Sequence, residues 1–217
     1  MAKGVSFGGL HSNRDLQLIL QSTDLQPAQP KLNIIDIPGA DGSKDLSAQP
    51  AGRIVFHDRE ISWTFALYPG ANWSEKHRQV SNALNGLACH ITMDDDPGYY
   101  YVGRLSVANY KREGLLRQIT VTAVCRPYKL KQAETTVTAS LTTTNKTLEL
   151  DNDRKPVVPT ITVTANTTLS WDGNTFTVSA GTHKILDIEL REGSNQLQAK
   201  VASGTGTITV TYQEGAL

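Results

Sequence analysis

Asn72-Trp73-Ser74-Glu75-Lys76-His77-Arg78-Gln79-Val80-Ser81-Asn82-Ala83-Leu84-Asn85-Gly86-Leu87 runs into Ala88-Cys89-His90-Ile91-Thr92-Met93, and then into Asp94-Asp95-Asp96-Pro97-Gly98-Tyr99-Tyr100-Tyr101-Val102-Gly103-Arg104. In the first segment Val80, Ala83, Leu84 and Leu87 recur at offsets of three, four and seven. That spacing places them on one face of a helix and predicts that this face is buried, with Lys76, His77 and Arg78 more exposed. Asn72 or Ser74 is suited to cap the N-terminus, with Glu75 in the first turn, and Asn85-Gly86 can end the helix in the left-handed conformation. No other stretch carries a convincing helical period. A single short helix in a chain otherwise written in strands must cover one face of a sheet.

Working outward, Ile61, Trp63, Phe65 and Leu67 alternate with Ser62, Thr64, Ala66 and Tyr68, a period-2 strand with one apolar face. Ile54-Val55-Phe56, before the turn at Asp58-Arg59-Glu60, reads as its hairpin partner. Further strands are predicted at 16–20, 32–37, 99–108 and 115–125. The last two are joined by the charged tip Tyr110-Lys111-Arg112-Glu113-Gly114 into a long hairpin. Beyond Arg126-Pro127-Tyr128 the composition changes: residues 1–130 contain five threonines, residues 131–217 nineteen. Thr/Val alternation suits a pleated, half-buried surface, and a domain boundary is expected at about residue 130. Strands are predicted at 135–141, 147–150, 158–163, 168–171, 175–178, 182–190, 195–199 and 207–212, with Asp172-Gly173 as a two-residue hairpin turn. So many short strands in one small domain make a sandwich or jelly roll.

Composition narrows the function classes. The 217 residues carry a formal net charge of zero, 39% hydrophobic and 19% charged residues, and a mean hydropathy of −0.31. That describes a folded protein without the basic field that drives nucleic-acid binding. No run of eighteen apolar residues exists for a membrane span, so no membrane insertion is expected. The N-terminal Met-Ala-Lys-Gly-Val-Ser-Phe-Gly-Gly lacks the apolar core of a signal peptide, so assembly in a cytoplasm is expected. Cys89 and Cys125 make no disulfide framework and read as reduced, buried thiols.

The chemistry-bearing residues form no reaction centre. His11, His57, His77, His90 and His183 have no metal-ligand spacing with cysteine or acid, and there is no Gly-x-Ser-x-Gly elbow, P-loop or dinucleotide fingerprint. Cys89 and His90 are adjacent on a strand and point to opposite faces, which separates a thiol from its base. Asp94-Asp95-Asp96 followed by Pro97-Gly98 is no calcium loop; its carboxylates are expected to accept backbone N–H bonds around a tight turn. Of the three tyrosines only Tyr99 and Tyr101 share a face, and they read as core or interface packing. Trp171 is expected to fill the second core rather than to contact a sugar. No catalytic, cofactor or metal site is assigned, and the chain reads as a non-enzyme.

The order of several segments carries a resemblance. Phe7-Gly8-Gly9 is followed by Ile37-Pro38-Gly39-Ala40-Asp41-Gly42 and Asp45-Leu46-Ser47, and then by the strand running from Arg59 through Trp63 to Phe65. The helix ending Leu84-Asn85-Gly86 leads into Asp94-Asp95-Asp96-Pro97-Gly98-Tyr99-Tyr100-Tyr101. In the second half come Pro156-Val157-Val158-Pro159, Ile161, Val163, Gly193, Asn195 and the ending Tyr212-Gln213-Glu214-Gly215-Ala216-Leu217. Over nearly its whole length the chain resembles the distal tail protein (Dit) family of long-tailed, non-contractile bacteriophages. The resemblance implies an all-β fold with one short helix. Residues 1–130 would be a ring-forming β-sandwich belt domain with a helix and a long hairpin, and residues 131–217 a galectin-like β-sandwich. It implies a ring of six copies at the distal end of the tail, joining the tail tube protein to the tail-associated hub protein and its receptor-binding parts. DNA would pass through the lumen only as cargo, and the protein would reside in the virion.

A ring subunit needs long strand edges and protruding hairpins, and closed symmetry satisfies them without runaway association. Tyr99, Tyr101, Arg104, Lys111, Arg112 and Glu113 are therefore the expected interface residues. The alternative is a two-domain carbohydrate-binding protein that uses its C-terminal sandwich.

Overall fold

The computed structural model describes residues 3–108, 111–113 and 116–217, without the side chains of 111–113, 116 and 117. The chain divides into two compact units, Met1–Lys129 and Leu130–Leu217. The first contains β1 (Val5–Phe7), β2 (Leu10–His11), β3 (Leu18–Leu25), β4 (Ile34–Asp36), β5 (Ser43–Asp45), β6 (Arg59–Leu67), α1 (Trp73–Leu84), β7 (Ala88–Met93), β8 (Tyr99–Val107), β9 (Lys111–Glu113) and β10 (Leu116–Cys125).

Its main sheet runs β2-β1-β7-β8-β10-β6-β3, with antiparallel neighbours throughout. Three strands separate β1 from β6, which would hold them about 19 Å apart in a flat sheet. Instead the Phe7 ring lies 5.3 Å from Trp63 and 6.3 Å from Phe65, edge-on to both. The sheet is therefore curled until its two ends face each other. Val5 and Phe7 from one end pack on Ile61, Trp63, Phe65 and Val121 from the other, all fully buried.

The predicted partner of β6 is corrected. Both of its edges are taken, by β10 from Gln118↔Ala66 to Cys125↔Arg59 and by β3 from Leu18↔Leu67 to Leu25↔Ile61. The longer alternating faces of β10 and β3 match Ile61, Trp63 and Phe65 over more pairs than Ile54-Val55-Phe56 can offer. Phe56 instead forms an isolated bridge to Pro30, with its ring edge-on to Tyr128 at 5.9 Å.

The helix forms where its period predicts. The Asn72 side chain accepts the Glu75 backbone N–H at 3.4 Å, and Gly86 takes the left-handed conformation at φ +82°. Trp73, Val80 and Leu84 are buried and Ala83 is half-buried. Leu87 is not on that face, because the helix stops at Leu84 and Leu87 lies beyond the Gly86 turn, 37% exposed. The acidic turn ties down the chain start: Asp94 Oδ2 accepts Gly4 N–H at 2.8 Å and His11 Nε2–H at 3.1 Å. His11 Nδ1 accepts the backbone N–H groups of Asn13 and Arg14, each at 3.2 Å, which leaves the proton on Nε2.

β11 (Lys129–Lys131) carries the chain into the second unit, where β12 (Thr135–Leu141), β13 (Lys146–Asn152), β14 (Thr160–Val163), β15 (Thr167–Trp171), β16 (Asn174–Val178), β17 (Gly181–His183), β18 (Gly193–Val201), β19 (Gly206–Tyr212) and β20 (Gly215–Ala216) follow. Two four-stranded sheets, β12-β19-β14-β17 and β13-β18-β15-β16, enclose Leu150, Leu169, Leu197, Ile161, Ile208 and Val210, all fully buried. The outer face of the first sheet explains the threonine content. Thr136 pairs with Thr211, Thr138 with Thr209 and Thr162 with Thr182, while Val and Ile between them point inward. Asp172 and Gly173 form the expected turn, at φ +46° and +79°. The strand predicted over 182–190 ends at His183; Ile188 and Leu190 reach the core from an irregular segment bridged only at Val157↔Leu190.

Candidate assembly surface

Between β3 and β6 the chain leaves the curled sheet as an arm, residues 26–58. Its root is a ladder of backbone bonds: Gln26 N–H to Glu60 O at 3.2 Å, His57 N–H to Gln29 O at 2.8 Å, and Lys31 N–H to Val55 O at 2.8 Å. Leu46 N–H to Asn33 O at 2.8 Å leads into the β4–β5 ribbon, where Ile34 pairs with Asp45, Ile35 with Lys44 and Asp36 with Ser43. Ser43 Oγ donates to Asp36 at 2.6 Å, and the connecting turn places Gly39 and Gly42 at φ +84° and +75°, where a side chain would be strained. Asp45 receives the Ser47 hydroxyl at 2.5 Å and its backbone N–H at 2.8 Å, which holds its carboxyl below the usual range. The arm is thus an ordered hairpin.

The side chains of the β4–β5 ribbon belong to neither core. Every residue from 31 to 45 is exposed, including Leu32 at 62%, Ile34 at 53%, Ile35 at 44% and Ile37 at 47%. Consecutive residues on a strand point to opposite faces, so Ile34 and Ile35 leave both faces of the ribbon apolar. An isolated two-stranded ribbon is marginal in water, and contiguous uncovered apolar side chains mark an association surface. Pro27, Pro30, Pro38 and Pro50 remove backbone donors along the arm, which favours docking by side chains over uncontrolled strand addition.

The root is held by a buried cation. Arg59, 6% exposed, donates from Nε to Gln26 O at 2.9 Å and from Nη1 to Pro127 O at 3.4 Å, with its guanidinium 5.5 Å from the centre of the Tyr101 ring. Burial pushes the Tyr101 hydroxyl up, opposed by the charges of Arg59 and Lys129. Beside it, Lys129 Nζ bonds Asp96 at 2.7 Å and lies 4.5 Å from the centre of the Tyr99 ring.

The residues expected at an interface from sequence are not brought together here. Tyr101 is 3% exposed within the first core, so its ring has no surface to give a neighbour. Arg104 is exposed but donates to Gly86 O at 2.6 Å, closing the turn after the helix. Tyr99 is half-buried on Lys129. The backbone of Lys111, Arg112 and Glu113 pairs with Gln118, Arg117 and Leu116, while their side chains, with Tyr110 and Gly114, lie outside the described residues. Sequence reading missed the arm as a surface. Its signal was a run of four large aliphatic residues between prolines, Leu32 to Ile37, with no alternation to say which face is buried.

Cys89 and Cys125 face the same residue from opposite sides: Gly103 is the register partner of both. Both are free, and burial pushes the Cys125 thiol up to about 12. His90 lies on the outer face, stacked 4.4 Å from Tyr100. Among the described residues, no group of three or more His, Cys, Asp or Glu side chains is placed to hold a metal ion, and no helix is long and apolar enough to cross a membrane.

No protein-family model matches the chain, and no curated protein matches it in sequence. The fold does match. The crystal structure of the Dit (gp 19.1) protein of phage SPP1 superposes with a TM-score of 0.65 at 16% identity, over 98% of this chain and 99% of that one. The chain has the Dit fold. The SPP1 protein is described as a paradigm of the hub adsorption apparatus in phages that infect Gram-positive bacteria. A likeness at that coverage takes in both units, so the Dit fold accounts for the curled sheet and for the sandwich that follows it.

Proposed function

We propose that this chain is a structural subunit of a phage tail tip, closing with copies of itself into a ring of six between the tail tube and the tail-tip hub. The observation that carries the reading is the arm: an ordered hairpin with Leu32, Ile34, Ile35 and Ile37 uncovered on a Dit fold. A neighbouring copy is the occupant that covers every arm at once, because a head-to-tail contact repeated by rotation closes a ring and leaves no arm bare. In this reading the protein is a virion component assembled in the host cell, and DNA is cargo of the lumen.

The units Met1–Lys129 and Leu130–Leu217 are proposed to serve separately, the first as the ring and the second as an appended sandwich. Negative-stain imaging of the purified protein, alone and mixed with its tail tube and hub proteins, tests the reading. Closed six-fold rings are expected; monomers under all conditions would contradict it.

A further inference from the structure

The curled sheet of the first unit brings two thiols into one row, and ring formation uses neither. Cys89 on β7, Gly103 on β8, Cys125 on β10 and Arg59 on β6 are successive register partners across four strands. Residues directly opposite on neighbouring strands share a face. Cys125 and Arg59 are buried, and Cys89 packs against the same core, so the row lies on the inside of the curl. The glycine keeps the middle of that row open: a Cβ on Gly103 would come within 2.5 Å of the Cys125 sulfur. The Cys125 side chain thus leans over Gly103, on the side where Cys89 lies. Cys89 is half-buried and gives the row its access to solvent.

Reach decides what the two sulfurs can hold. Two strand spacings put their Cα atoms about 9.5 Å apart. Cysteines joined by a disulfide of about 2.05 Å span about 6.8 Å at most, so this pair is too far apart to oxidise to one. A metal ion with sulfur bonds of about 2.3 Å each separates the sulfurs by about 4.6 Å and extends that span to about 9.4 Å. Two ligands in line are too few for zinc or calcium, and thiolates select soft ions such as Cu(I). Charge points the same way. The Arg59 guanidinium, 6% exposed, bonds two backbone carbonyls and, among the described residues, no carboxylate. A buried charge is costly unless it is paired, and two thiolates around a monovalent ion carry one net negative charge. Burial raises both thiols, and at Cys125 the Arg59 charge opposes that rise.

We propose that Cys89 and Cys125 bind a single Cu(I) ion in line across Gly103. Each thiol gives its proton to solvent and two sulfur–metal bonds form, with no change in the oxidation state of sulfur or metal. The full chain is titrated anaerobically with Cu(I) against a coloured Cu(I) chelator. Native mass spectrometry counts the ions and X-ray absorption reads the ligand shell. One ion per chain with two sulfur ligands is expected. Cys89→Ser and Cys125→Ser are each expected to weaken binding by more than about 100-fold, beyond the loss of a merely supporting contact. Cys89 is half-buried, so Cys89→Ser is expected to keep the parent melting curve and decides the matter where the Cys125 variant unfolds. Two ions per chain, one ion shared between two chains, a shell of nitrogen or oxygen, no competition with the chelator, or undiminished affinity in folded Cys89→Ser would overturn the proposal. So would an intrachain Cys89–Cys125 disulfide formed by the parent under diamide, because the pair would then be too close for an ion between them.

Discussion

Replacing Ile34 and Ile35 together by serine removes the centre of the apolar arm while leaving both cores untouched, since neither residue belongs to either core cluster. Complete burial of an isoleucine side chain contributes about 1.5–3 kcal/mol. In the isolated chain Ile34 and Ile35 keep 53% and 44% of their surface exposed. Covering that remainder on a neighbour is therefore worth about 1 kcal/mol each, or roughly 2 kcal/mol per contact. That loss corresponds to an association constant about 30-fold lower. Sedimentation across a concentration series, with native mass spectrometry for stoichiometry, reads the shift directly. The melting temperature should stay within about 3 °C of the parent, because exposed substitutions away from a core are nearly neutral. Leu186→Ser, at a lone leucine 78% exposed in the second unit, is the matched control and should leave association unchanged. An arm variant that associates like the parent would refute the arm as the contact. A variant that loses its melting transition would show that the arm's role is in folding.

Three further outcomes follow from the cores. Leu84→Asp places an unpaired charge at a fully buried position of the helix, and calorimetry should record a loss of several kcal/mol, about 3–5. Gly103→Val should destabilise the first unit by about 1–3 kcal/mol, because a Cβ there would meet Cys125 Sγ at 2.5 Å and Val124 O at 2.9 Å; an unchanged melting curve would show that β10 moves aside freely. Burial pushes Glu214 up, but donation from Lys131 and Thr135 and the charge of Lys131 outweigh it, so its carboxyl sits below the ordinary value of 4.5. A depressed carboxyl stabilises the fold above its unfolded-state value and loses that contribution as pH falls through the folded one. Acid unfolding of the wild type below about pH 4.5 should therefore be less pH-dependent in Glu214→Gln, whose stability is already reduced at pH 7.

Much of the fold is legible in the sequence because its strands write their period plainly. The alternation from Ile61 to Leu67 and the Thr/Val pattern of β12, β14 and β19 each specify an inner and an outer face, and the structure uses those faces. The helix was equally readable up to Leu84. Leu87 was not, since the period continues on paper past a glycine at which the backbone turns away. β1 and β2 are too short, at three and two residues, for alternation to register. Their burial depends on a curl of the sheet that local sequence does not encode.

The candidate site was less legible than the fold for a related reason. Tyr99 and Tyr101 share a strand face, yet one lies against Lys129 and the other under Arg59 in the core, a difference set by where distant parts of the chain cross the strand. The run from Leu32 to Ile37 reads as a strand and is one in part, over Ile34–Asp36. That nothing among the described residues covers it is a property of the folded chain rather than of its local sequence.

The central claim is tested most directly by counting copies. Quantitative mass spectrometry of purified tails, normalised to the tail tube protein, should find six copies of this chain per particle, located at the distal end by antibody labelling. Its absence from the particles, or one copy per tail, would contradict the account.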